Sequence, residues 1–185
     1  MSDIVDEAPE HFGAREALLD RAFGRARHAK TSERLREGRL PALAFSAVDG
    51  EGRLVATVRL WNVATGDGRE ILLLGPLAVE AACRSDGLGG RLMRHALNRA
   101  SLAGYGAVIL VGDAPYYERF GFSAGPTGAL DLPGPVERSR FLGLELRPDA
   151  LAGACGLIRP SGALAPADRL LAILPETQIV AAQAA

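Results

Sequence analysis

Three β-rich runs in direct succession constrain this chain more than any other feature: ALAFSAV at 42–48, RLVATVRLWNV at 53–63 and REILLLGPLAV at 69–79. Only DGEG at 49–52 and TGDG at 65–68 separate them. Connections this short join antiparallel neighbours, because a parallel pair needs a crossover of roughly a dozen residues. The runs therefore predict a three-stranded meander. The third run contains Gly75-Pro76, and proline has no N–H to give to a ladder, so the strand must bulge or splay there. A splayed strand leaves backbone groups free for a ligand.

Around the meander the period changes to that of helices. PEHFGAREALLDRAFG at 9–24 sets Leu18, Leu19, Ala22 and Phe23 on one face and ends at Gly24, and TSERLREG at 31–38 reads as a short second helix stopped by Gly38. Beyond the meander come a helix over about 87–103, a strand at 107–111 and a short helix in DAPYYERFG at 113–121, with Pro115 in its first turn. A further strand opens at 121–122, and FLGLELRP at 141–148 supplies the last strand after a Pro- and Gly-rich loop at 125–136. No internal repeat or long linker interrupts this order, and 185 residues suit one core. The fold class is α+β, with a domain over residues 1–150. Residues 151–185 form a C-terminal extension, helical around 166–174 or frayed.

Charge and cysteine content exclude several functions. With 21 basic and 22 acidic residues the net charge is −1, which draws the chain to neither nucleic acid nor membrane. The start, MSDIVDEAPEHF, is acidic and lacks a basic and apolar leader, so a soluble, cytoplasmic protein is expected. Cys83 and Cys155 are the only cysteines and no CxxC or HExxH spacing occurs, so neither a disulfide framework nor a metal is expected. Lys30 is the only lysine; genome base composition explains that bias more readily than phosphate recognition.

The stretch GPLAVEAACRSDGLGGRLM at 75–93 runs from the splayed strand into a glycine-dense helix start. The first N–H groups of a helix lack intrahelical partners and sit at the positive end of its dipole. Gly87, Gly89 and Gly90 would let a pyrophosphate approach this backbone, with Arg84 to pair with it. A GxGxxG fingerprint fails because position 92 is Leu, and a GxxxxGK[ST] loop fails for want of a lysine. From the glycines alone, an anion cradle and a tight strand-to-helix turn with close helix packing are both open.

PYYERFGF at 115–122 adds a second signal, two adjacent tyrosines in a short helix after a strand. Leu77-Ala78-Val79, then Arg84-Ser85-Asp86-Gly87-Leu88-Gly89, then Tyr116-Tyr117-Glu118-Arg119-Phe120-Gly121-Phe122 together resemble the GCN5-related N-acetyltransferase (GNAT) family, over roughly 3–148. VGDAPYYERFGF looks most like its YhbS-like bacterial branch. The resemblance implies a mixed sheet forked like a V and flanked by helices. Acetyl-CoA, as co-substrate, would lie in the fork with its pyrophosphate on residues 84–90, contacting Arg84, Ser85, Asp86, Gly87, Leu88, Gly89 and Gly90. Leu77, Ala78 and Val79 would hold the pantetheine arm, Leu77 and Val79 pairing with it through their backbone groups. Tyr117 matches the family tyrosine that protonates the departing thiolate. The implied activity is N-acyl transfer from acetyl-CoA to a small-molecule or peptide amine by direct attack in a ternary complex, in a monomer or homodimer.

Two departures accompany the resemblance. Asp86 stands where relatives often carry glycine or a polar or basic residue, and turned outward it would cap the helix. The asparagine many relatives place before the tyrosine helix is absent, and Asp113 lies too close to the tyrosines to replace it. A second function class is therefore a non-catalytic acetyl-CoA sensor of the same fold, and a third is a thiol enzyme using Cys83. Tyr116, Phe120, Phe122 and Trp61 read as packing residues, His95 as a surface residue, and Glu70 and Glu80 as solvated carboxylates, so no general base is assigned.

Overall fold

The computed structural model describes residues 2–166, so all but the first residue of the helix expected at 166–174 lies outside the described residues. The meander forms as its turns dictate. β1 (Asp3–Asp6) pairs with β2 (Leu43–Val48), which is followed by β3 (Leu54–Ala64) and β4 (Glu70–Val79), each antiparallel to its neighbour. β5 (Ala107–Val111) pairs parallel to β4, and the order is completed by β6 (Leu130–Asp131), β7 (Phe141–Glu145), β8 (Gly156–Leu157) and β9 (Arg159–Pro160). The seven-stranded sheet runs β1-β2-β3-β4-β5-β7, with β9 on the far end of β3, while β6 and β8 pair separately. This is the mixed sheet the resemblance implies, flanked by α1 (Phe12–Phe23), α2 (Leu88–Leu102) and the single-turn α3 (Ala114–Tyr117). Among the described residues no helix is long and apolar enough to cross a membrane.

The fork is visible in the register. β4 meets β5 only at Leu72–Val108 and Leu73–Ile109, after which β4 continues to Val79 along β3 and β5 to Val111 along β7. The cause lies two residues past the last pair. On β3, Leu60 opposes Leu74 and Val58 opposes Leu77, so Gly75 and Pro76 together face Arg59. Two residues against one is a β-bulge, which bends the strand and increases its twist.

Helix α2 covers one face of the sheet. Its Leu88, Leu92, Met93, Ala96 and Ala100 recur at helical spacing and pack on Phe45, Val58, Leu60, Leu72, Leu74, Val108 and Leu110. Each leucine buried there contributes about 1.5–3 kcal/mol. On the other face, Leu18 and Leu19 of α1 cover Leu54 and Ala78, and farther along Leu35, Trp61, Val63, Ile71, Leu73 and Phe141 form a second cluster. Leu151, Ala154 and Ile158 are buried in that cluster and β9 pairs with Val63 and Ala64. The chain therefore stays in the packed body past residue 150, where the sequence reading placed the boundary.

Several local expectations change. Asp3–Asp6 is a strand that the acidic start concealed. The helix expected at 31–38 is a 3-10 turn over Thr31–Leu35, preceded by another over Arg25–Ala29. No strand opens at 121–122: Gly121 ends the tyrosine segment with a φ of 89°, and Ser123 makes only an isolated bridge to Gly143. Phe23, expected on the apolar face of α1, is 39% exposed. Arg15, in the same helix, is buried because Glu7 and Glu16 accept from its guanidinium.

Candidate active site

Where β4 leaves β5, its outer edge is unpaired and its backbone is polarised in a set pattern. Glu80 N–H donates to Val55 O, and alternation along an antiparallel ladder then turns Ala78 toward Thr57 and directs the N–H and C=O of Leu77 and Val79 to the open edge. Arg84 reaches back to that edge, its Nε donating to Val79 O at 3.3 Å. Ala78 gives its backbone to β3 and its side chain to α1, so of the three residues Leu77 and Val79 carry the outward-facing groups, the Val79 carbonyl being shared with Arg84.

A cavity of about 620 Å³ fills the fork, lined by Leu77, Ala78, Val79, Arg84, Ser85, Gly87, Gly89, Gly90 and Tyr117. The sequence thus anticipates most of one wall. Gly87 caps α2 with a φ of 67°, a left-handed turn that costs other residues about 1–2 kcal/mol. It brings the unpaired amides of the first helical turn to the cavity. Leu88 points the other way into the core and Asp86 is exposed, so neither side chain lines the cavity, and Asp86 makes no cap bond to α2.

The sequence reading missed the opposite charge wall. Arg94 and Arg119 line the same cavity as Arg84, and none of the three has a carboxylate partner among the described residues. Arg94 stands one helical turn after Gly90, with Nη1 3.5 Å from the position of a Cβ on that glycine. That i+4 spacing from the glycines was the signal available in the sequence. Arg119 lies over the Tyr116 ring at 4.4 Å and over Phe120 at 5.6 Å. Three guanidinium groups without carboxylates favour a ligand with several negative charges.

The two tyrosines occupy different walls, their rings edge to face with centroids 5.0 Å apart. Tyr116, read from sequence as packing, lines the cavity and holds its hydroxyl 2.9 Å from where a Cβ on Gly89 would stand. Burial pushes its phenol up, against the nearby Arg119 and Arg94. Tyr117 is more deeply set: its ring rests on Gly112 at the end of β5. Burial, followed by Tyr116, pushes its phenol from 10.0 up to about 12, Arg140 opposing and Asp113 adding to the rise. It stays protonated at any physiological pH. A phenol this weak in acidity stabilises a thiolate by donating a hydrogen bond, since complete proton transfer to a group with a pKa of about 8.5 is uphill.

The remaining candidates fall outside the cavity. Cys83 packs against the α2 core. His95 stands edge-on to Phe45 with centroids 4.7 Å apart. Glu80 is held by Arg21, Glu70 accepts from Ser161 Oγ, and neither lines the cavity. Trp61 is buried and donates its indole N–H to Gly75 O at 2.6 Å, fixing the bulge.

The comparisons with known proteins agree with this geometry. The family described as "Acetyltransferase (GNAT) domain" matches residues 41–124. The uncharacterized N-acetyltransferase YhbS of Escherichia coli strain K12 is 34% identical over 144 residues, 77% of this chain and 86% of YhbS. The crystal structure of the Escherichia coli GNAT family N-acetyltransferase YhbS in complex with CoA superimposes with a TM-score of 0.76 at 32% identity, covering 86% of this chain and 89% of that one. A GNAT family acetyltransferase from Brucella melitensis, in complex with acetyl-CoA, shares the fold with a TM-score of 0.59 at 24% identity, over 90% of this chain and 96% of that one. With a relative 34% identical over 77% of its length and that family matched over residues 41–124, this chain belongs to the GNAT acetyltransferase family.

Proposed function

We propose that the chain transfers an acetyl group from acetyl-CoA to an amine by direct attack in a ternary complex. The observation that carries this reading is the alignment of three features along one fork: unpaired amides and arginines at the start of α2, outward-facing backbone groups of Leu77 and Val79, and the phenol of Tyr117. The CoA and acetyl-CoA complexes of the two relatives support the same ligand here. Pyrophosphate on residues 84–90, with Arg84, Arg94 and Arg119 around the phosphates, sets the pantetheine arm along β4 as an added strand.

In that pose the amine nitrogen attacks the thioester carbonyl. The N–C bond forms, the C–S bond breaks, Tyr117 donates a hydrogen bond to the departing thiolate, and the extra proton on nitrogen leaves to water. Holding both reactants in the fork supplies the proximity the reaction needs. Neither Glu80 nor Glu70 is assigned as base, so the amine enters unprotonated from solution.

Acetyl-CoA titration calorimetry followed by a thiol-release assay on a panel of amines tests the proposal. Binding with amine-dependent thiol release and N-acetylated product is expected. Binding without thiol release on any amine would favour the sensor reading, for which the absence of a carboxylate among the described residues lining the cavity is the supporting observation.

A further inference from the structure

Of the two buried arginines among the described residues, Arg15 has its donors occupied by Glu7 and Glu16, whereas Arg36 is half served. Its side chain is 8% exposed, Nη2 donates to Glu33 Oε2 at 2.7 Å and to Ser32 Oγ at 3.3 Å, and Nε is buried without a partner. Nη1 makes no hydrogen bond among the described residues and lies 3.9 Å from the position of a Cβ on Gly75. Burial pushes the Arg36 guanidinium below its ordinary range, Glu33 opposing and Arg27 and Arg59 adding to the fall. A desolvated cation with unmet donors is costly until an anion meets them.

Its position gives that anion a purpose. Gly75 lies two residues past the last β4–β5 pair, Leu73–Ile109, and Gly112, on which the Tyr117 ring rests, lies three residues past it, so both flank the opening of the fork. Arg36 therefore borders the apex of the fork on the side away from α2, beside the bulge that Trp61 fixes. The segment carrying it leaves the cavity wall at Phe23 and is anchored over the sheet: Thr31 Oγ1 donates to Pro135 O at 2.8 Å and Arg34 Nη1 to Pro133 O at 2.6 Å. The guanidinium is held in place before any acceptor arrives.

We infer that the acceptor is a small amino carboxylate, whose carboxylate is received by Arg36 beside Gly75 while its amine faces the thioester near Tyr117. This rests on the transfer reading above and names its substrate class. A planar guanidinium matches a carboxylate in a way an ammonium does not, so the site discriminates by the acceptor's anionic group.

The test compares kcat/KM for a series of amino acids, each set against its primary amide and its decarboxylated amine, in the wild-type chain and in Arg36→Met and Arg36→Lys. The wild type is expected to prefer the carboxylate member by about tenfold or more, since its buried donors go unmet with the others. Arg36→Met should abolish that preference with acetyl-CoA affinity changed less than about twofold, and Arg36→Lys should keep only part of it. Equal kcat/KM on all three members, or a preference that survives in Arg36→Met, overturns the subsite and leaves acetyl transfer standing. If Arg36→Met does not fold, the wild-type comparison and Arg36→Lys decide the matter. Acetyl-CoA binding without thiol release on any member defeats the transfer reading, and this subsite with it.

Discussion

The ring of Tyr117 lies so close over Gly112 that a Cβ on that glycine would stand 2.2 Å from Cε2. Gly112 follows β5, so the end of that strand fixes where the phenol meets the fork. Gly112→Ala should push the ring aside and lower kcat by about tenfold or more, because a small misplacement of a reacting group is costly. Acetyl-CoA affinity should change far less. Steady-state kinetics with calorimetry on the same preparation checks both, and an unchanged kcat would detach Tyr117 from the chemistry.

The elevated phenol fixes the pH behaviour. Tyr117 ionises near 10.0 when unfolded and near 12 when folded, so the stability from keeping it neutral is complete below 10.0 and is lost as pH rises through about 12. Ultraviolet titration should show this phenolate forming last, and Tyr117→Phe should remove that step. An alkaline fall in kcat centred below pH 10 that vanishes in Tyr117→Phe would contradict the assignment.

Gly89 is confined by the Tyr116 hydroxyl, at 2.9 Å from a Cβ, and by Val79 Cγ2, at 3.4 Å. Gly89→Asp adds both bulk and negative charge at the helix start, and it should abolish acetyl-CoA binding in a calorimetric titration. Gly89→Ala should weaken binding less, since the tyrosine hydroxyl is the end of a side chain that can shift. Wild-type affinity in the aspartate variant would move the pyrophosphate elsewhere.

Glu7 accepts from both Arg15 and Arg59 and ties α1 to β3, its side chain 7% exposed. Glu7→Gln leaves Arg59 without a carboxylate partner among the described residues and Arg15 with Glu16 alone, and should cost about 3 kcal/mol. Urea unfolding would show this as a lower midpoint with an unchanged slope. A loss under about 0.5 kcal/mol would mean water serves the arginines as well.

Much of the fold was legible because local signals agreed. The turns DGEG and TGDG, the β-rich run over Leu54–Ala64 and the helical spacing of Leu88, Leu92 and Ala96 each point to the observed element. The two-residue strands Gly156–Leu157 and Arg159–Pro160 carry no period, and Ile4-Val5 between aspartates gives too short a pattern. At the site, motif residues such as Gly89 and Tyr117 were readable, while Arg94, Arg119 and Arg36 look like surface charge in any sequence. Their meaning depends on which way a helix or loop faces, which only tertiary packing decides.

The most direct measurement is kcat for thiol release in Tyr117→Phe at saturating acetyl-CoA and amine. A fall of about 10²-fold or more is expected, because a hydrogen-bond donor to the leaving thiolate is deleted. A Tyr117→Phe chain turning over at the wild-type rate would contradict that role.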